Sequence, residues 1–204
     1  GSEALISSGD AVQDKENRDK FIRRYGEKNR METVDNKKVI LHIGSNDWPF
    51  PIPLVKSGER WRFDTVQGKD EILSRRIGKN ELGAIQTCLA IVDAQREYAA
   101  KDLDGDGLLE YAQKFVSTKG KKDGLYWVSG PGQDPSPLGP LVAQAGKEGY
   151  AKEAQPAPYN GYFYRILKAQ GANAHGGALD YLIKGNMVGG FAIVAYPARP
   201  LVSG

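Results

Sequence analysis

The residues best placed to do chemistry lie between positions 102 and 110, in the run Asp102-Leu103-Asp104-Gly105-Asp106-Gly107-Leu108-Leu109-Glu110. Carboxylates at alternate positions converge when a chain curls, and a hard divalent cation wants several oxygen ligands. Gly107 falls where such a curl needs its sharpest turn, a backbone geometry few other residues tolerate. Leu108 would then offer its carbonyl, and Glu110 a carboxylate, directly or through water. Without an ion, Asp102, Asp104 and Asp106 would repel one another at close range. The predicted ligand set for Ca2+ is therefore Asp102, Asp104, Asp106, Leu108 and Glu110. The competing reading is a solvated Asp- and Gly-rich turn at a helix end.

The spacing is that of the first half of an EF-hand loop. The match breaks at the closing position, where an EF-hand carries a bidentate Glu and this chain has Gln113. Glu110 then closes a shortened loop, or another segment contributes. A predicted helix over 108–115 completes a helix–loop–helix outline. A single site of this kind suits a structural staple more than a sensor.

Other chemistry is sparse. There is no Gly-x-Ser-x-Gly elbow, no His-Glu-x-x-His and no zinc spacing of Cys and His. The stretch from Gly139 to Gly146-Lys147 fails as a phosphate loop, because its spacing is wrong and Glu148 replaces Ser or Thr. His42 on a strand and His175 in a Gly-rich loop are candidate bases. Asp64, beside Trp61 and Phe63, is a candidate carboxylate in an apolar pocket with a raised pKa. For all three, ordinary packing is the simpler reading. Cys88, the single cysteine, excludes an intrachain disulfide and reads as a small buried hydrophobe. The aromatic sets Trp48, Phe50, Trp61, Phe63 and Tyr159, Tyr162, Tyr164 line a groove or, more simply, pack small sheets.

The elements that must position these residues fall into two parts. Residues 1–66 read as a helix followed by an antiparallel sheet. Phe21, Ile22 and Tyr25 recur at helical spacing. Val39, Leu41 and Ile43 alternate as in a half-buried strand. Pro53–Lys56 and Arg60–Asp64 flank a tight Ser57-Gly58-Glu59 turn and predict a hairpin. The prolines of 48–53 confine that stretch to an edge or an irregular crossing. Residues 67–204 read as a charged connection from Gly68 to Gly78, with a short helix through Ile72 and Leu73 as the alternative, then a long helix capped by Asn80 and ending near Lys101, and an antiparallel sheet. Leu82, Ile85, Leu89, Val92 and Tyr98 form the helix's predicted buried stripe. The sheet draws on 162–167 and 190–196, with Tyr126-Trp127 as a third strand. A short helix is predicted at 179–183.

The chain carries 28 basic and 25 acidic side chains and a formal charge of +3. So small an excess argues against nucleic acid as a partner. No apolar run reaches membrane-spanning length.

Several ordered motifs carry a family resemblance. They are Ile6-Ser7-Ser8-Gly9-Asp10, Asp47-Trp48-Pro49-Phe50-Pro51-Ile52-Pro53, Trp61-Arg62-Phe63-Asp64, Asp93-Ala94-Gln95-Arg96-Glu97-Tyr98, Asp104-Gly105-Asp106-Gly107 with Glu110-Tyr111-Ala112-Gln113, and Asp123-Gly124-Leu125-Tyr126-Trp127. Pro135-Ser136-Pro137-Leu138-Gly139-Pro140 and Gly161-Tyr162-Phe163-Tyr164 extend the set. Together they resemble the bacterial domain-of-unknown-function family 2950 over nearly the whole chain. The resemblance implies no assigned activity, an exported protein of the periplasm or envelope with its leader removed, an envelope protein partner, and a further strand beyond Gly204. The first part also resembles nuclear-transport-factor-2-like cones, and the second the soluble part of type IV pilins.

The expectation is thus an α+β chain: a cone-like lobe (1–66), then a pilin-like helix on an antiparallel sheet (67–204). Its expected role is a non-enzymatic envelope protein with a Ca2+-stapled loop. The alternative is a small-molecule-binding or hydrolytic protein with a pocket in the cone lobe or between lobes, using Asp64 or His42.

Overall fold

The computed structural model describes residues 11–103, 105–147 and 158–198. The chain divides into two compact units, Gly1–Lys79 and Asn80–Gly204. The α+β class holds in both.

In the first unit, α1 (Ala11–Glu27) precedes an antiparallel sheet. Its strands are β1 (Asn29–Asp35), β2 (Lys38–Ile43), β3 (Trp48–Pro49), β4 (Leu54–Ser57) and β5 (Arg60–Phe63), in the order β1-β2-β4-β5, with β3 paired to β2. Leu41 and Ile43 are buried, as the alternation in β2 predicts. The two-residue connection Gly58-Glu59, with Gly58 at φ +63°, closes the predicted hairpin in the register Leu54↔Phe63 to Ser57↔Arg60. Phe50 gathers Phe21, Trp48 and Phe63 around it at ring separations of 5.2, 6.5 and 6.1 Å. Three of the four aromatics of the first set are therefore packing residues. Among the described residues Trp61 has no such contact, and both it and the outer side of Phe63 stay open, at 46% and 47% exposure.

The long helix α2 runs Thr65–Ala99, fifteen residues earlier than predicted. Asp64, not Asn80, opens it, and its Oδ1 accepts the N–H groups of Val66 and Gln67, both at 3.2 Å. The glycines of the supposed connection are helical. Gly68 sits so close to Ile52 that an added Cβ would lie 2.7 Å from Cγ1 of that residue. Arg75 fixes this end of the helix to β3. It donates to the Pro49 carbonyl at 2.7 Å and lies over the Trp48 ring.

In the second unit, the expected buried stripe holds only at its C-terminal end, where Tyr98 is buried and Val92 half-buried. Leu82, Ile85 and Leu89 are 66%, 54% and 52% exposed. The covered face carries Ala84, Thr87, Ile91, Ala94, Gln95 and Tyr98, again at spacings of three and four. At the start of this face, around residues 80–87, the turn at 159–162 comes in close and leaves room only for small residues. A Cβ at Gly83 would meet Asn160 Cγ at 2.6 Å, and one at Gly161 would meet Asn80 Nδ2 at 2.6 Å. Asn80 thus has a packing role within α2.

The core gathers Ile91, Ala94, Tyr98, Ala112, Leu125, Leu138, Ile166, Tyr181 and Met187. It is flanked by the ribbon of β6 (Tyr162–Leu167) and β11 (Ala192–Pro197), paired antiparallel from Ala192↔Leu167 to Pro197↔Tyr162. α3 (Gly139–Lys147) follows the proline-rich stretch. Short strands β7 (Ala169–Gln170), β8 (Leu179–Asp180), β9 (Leu182–Ile183) and β10 (Asn186–Met187) replace the helix predicted at 179–183. Buried Tyr181 sits between β8 and β9 and donates its N–H to the Lys168 carbonyl. Tyr126 makes an isolated parallel bridge to Val116 instead of a third strand.

Candidate metal loop and its surroundings

The acidic loop begins where α2 unwinds. The last helical bonds there are short-range, Ala100 N–H to Glu97 and Lys101 N–H to Tyr98. The chain then curls around Asp102. One carboxylate oxygen accepts the Gly105 N–H at 2.7 Å, and the other accepts the Gly107 N–H at 3.0 Å. Gly105 and Gly107 have φ of +81° and +86°, so the sharp turn falls where the spacing predicted it. Asp106 accepts the Leu108 N–H at 2.8 Å and the Asn186 amide at 3.1 Å. Glu110 accepts the Met187 N–H at 2.9 Å, next to the residue that Asp106 reaches. Asp104 lies outside the described residues.

Among the described residues, no three His, Cys, Asp or Glu side chains converge as a metal site. Each of Asp102, Asp106 and Glu110 is bonded to N–H groups, which removes part of the mutual repulsion. These bonds leave further lone pairs on the carboxylate oxygens. Leu108 and Leu109 are 46% and 61% exposed, and no helix follows them. The helix–loop–helix outline is therefore absent. The segment 111–117 bonds sideways instead: Tyr111 N–H to Met187 O, Tyr126 N–H to Phe115 O, and Ser117 N–H to Tyr126 O. Gln113 is not a loop-closing ligand. Its amide donates to the Gly185 carbonyl at 2.7 Å and accepts from Lys168 Nζ at 3.0 Å.

Sequence reasoning missed Gln95, which lies on α2 with no exposed surface. Its amide donates to the Ala112 carbonyl and accepts the Ala112 N–H, both at 2.8 Å. Its spacing, three residues from both Val92 and Tyr98, places a polar residue within the predicted stripe and is the signal that could have found it. Tyr98, on the same face, donates its hydroxyl to the Lys122 carbonyl at 2.8 Å.

Beyond the loop, Asp123 accepts from Lys114 Nζ at 2.6 Å and from the Thr118 N–H at 2.7 Å. Those bonds lower its pKa from 3.8 to about 2, the Lys114 contact contributing most. A carboxyl held low in the folded state adds stability that is fully present above its unfolded pKa. That stability is lost as pH falls through the folded one. The side chain is a quarter exposed, so we expect Asp123→Asn to cost about 1 kcal/mol near neutrality after screening. Urea titrations of both proteins should converge as pH drops from about 4 to about 2. A gap that persists below that window would show the ion pair is not its source.

The remaining candidates are structural or unassigned. Asp64 is the α2 cap, not a carboxylate in an apolar pocket. His42, on β2, places Nδ1 2.9 Å from the Asp47 carbonyl and Nε2 3.0 Å from Glu32 Oε2. Arg30 holds Asp47 through Nε at 2.8 Å and keeps that carboxyl below its ordinary range. Burial pushes the Cys88 thiol up, away from a reactive thiolate. The Gln170 amide donates to the His175 carbonyl.

No described helix is long and apolar enough to cross a membrane. The chain matches no curated protein and no solved structure, so the cone-like and pilin-like likenesses are carried no further. Residues 1–204 match the family described as protein of unknown function, DUF2950, and the chain belongs to that family.

Proposed function

We propose that this protein is a non-enzymatic, interaction-bearing component of the bacterial envelope, with the loop 102–110 closed by a structural Ca2+ ion. One observation supports the ion above the others. The loop is already wound around Asp102, with both glycines in the left-handed conformation that oxygen convergence requires. Asp102, Asp104 and Asp106, with the Leu108 carbonyl and Glu110, are the groups that would hold it. The ion would neutralise the crowded acids and tie the end of α2 to β10 through Asp106 and Glu110. The envelope location rests on the family likeness.

Calorimetric titration of the chelator-treated protein with Ca2+ tests the staple. We expect saturable heat, and about 3 kcal/mol of added stability at a Ca2+ concentration roughly a hundredfold above Kd. Asp106→Asn keeps an acceptor for the Leu108 N–H but removes a charge, and should abolish most of that gain. Equal melting in Ca2+ and in chelator, with no heat, would eliminate the ion. Detection of the native protein solely in the cytoplasmic fraction would eliminate the location.

A further inference from the structure

The β4–β5 hairpin ends the sheet of the first unit; among the described residues no strand pairs with the outer side of β5, whose four residues are exposed. Its register determines which backbone groups look outward. The Asp64 N–H bonds to the Pro53 carbonyl, so 53/64 is a hydrogen-bonded pair. Antiparallel pairs alternate, which makes Leu54↔Phe63 and Lys56↔Trp61 the non-bonded ones. The N–H and C=O groups of Trp61 and Phe63 therefore face the open edge, a template for another strand.

The side chains along that edge are sorted by face. Arg60 and Arg62 share one face with Lys38, which sits in the same row through Val55. None of these three cations has a carboxylate within ion-pair distance among the described residues. Trp61 and Phe63, 46% and 47% exposed, occupy the other face. The opposite edge, β1, is different: Arg30 there is already committed to Asp47 and Glu32.

We propose that β5 is a docking edge for an extended segment of a partner protein, one that alternates acidic and apolar residues. Such a strand would bond to the backbone of Trp61 and Phe63. It would place carboxylates beside Arg60 and Arg62, and apolar side chains beside the two rings. The same sorting disfavours other occupants. A second copy pairing β5 to β5 would set arginine against arginine. A flat anionic membrane meets one face of a sheet, whereas the cations and rings lie on opposite faces. The proposal gives chemical content to the interaction-bearing reading above and uses none of the loop's chemistry, so a failed Ca2+ titration leaves it standing.

The test uses the full chain and a dye-labelled synthetic peptide of alternating Glu and Val, read by fluorescence anisotropy. We expect saturable binding, weakened at least about tenfold in the R60E/R62E double variant. Binding should be lost when the peptide's edge-facing amides are N-methylated, and absent for a Lys/Val peptide. The two arginines are exposed, so the variant's unchanged melting temperature serves as the folding control. The proposal fails if no binding is detected, which is what edge charges that merely deter aggregation would give. It fails equally if charge reversal or N-methylation has no effect. Capture of phosphatidylserine vesicles without the peptide would move the site to a membrane and overturn it as well.

Discussion

Gln95→Leu is expected to destabilise the protein by about 2–5 kcal/mol, although it replaces a polar residue in a helix by a good helix former. Gln95 has no exposed surface and Ala112 only 2%, so neither group bonded by the amide can turn to water instead. Leucine would leave the Ala112 N–H and C=O unsatisfied in a low-dielectric interior, and each such group costs about 1–3 kcal/mol. Urea denaturation followed by circular dichroism measures the loss directly. The same change at exposed Gln86, on the same helix, should fall within about 0.5 kcal/mol of zero. If the two variants melt together, the amide bridge contributes nothing.

Gly124→Ala should cost a comparable amount, about 2–3 kcal/mol, through overpacking. The added methyl carbon would lie 2.9 Å from both the Ser117 nitrogen and the Val116 carbonyl carbon, and 3.1 Å from the Lys114 oxygen. All three are backbone atoms, so no rotamer change relieves the clash. The strands of chain must separate. That stretches the Ser117 N–H to Tyr126 O and Leu125 N–H to Lys114 O bonds, and it shifts Leu125, which is fully buried in the core. Gly146→Ala is the contrasting variant. It lies within α3 with open space around the new carbon, so helix propensity should make it neutral or stabilising by up to about 1 kcal/mol. Equal effects at the two glycines would refute the steric account.

The parts of this fold that were legible in the sequence are those set by short-range rules. The β4–β5 hairpin follows from the Ser57-Gly58-Glu59 turn between strand-like runs, although Ser57 proves to belong to β4, and β2 and β6 follow from their own patterns. The class follows from the succession of these elements. What was misread depends on tertiary contact. Asp64 and Asn80 are equally good caps by type. Only the close packing of Gly68 on Ile52 and of Arg75 on Trp48 shows that the helix continues between them. The α2 stripe was misplaced because hydrophobicity favoured Leu82, Ile85 and Leu89. Close approach by the 159–162 turn requires Gly83 and its small neighbour Ala84 at that end of the helix. The turn around Asp102 was legible because Asp and Gly act locally. The helix expected after it was not formed, since Tyr111, Gln113 and Ser117 find partners at Met187, Gly185 and Tyr126. Gln95 could not be distinguished by type from a solvated glutamine.

The fixings on either side of the acidic turn also bear on how the chain tolerates change. Tyr111 and Glu110 are bolted to Met187, and Gln113 to Gly185, while Tyr98 is fastened upstream to Lys122. Between these points Asp102 holds the turn and Asp106 reaches Asn186, while Leu109 lies exposed. Position 109 can therefore drift, or carry a reporter dye, without the mounting having to be rebuilt.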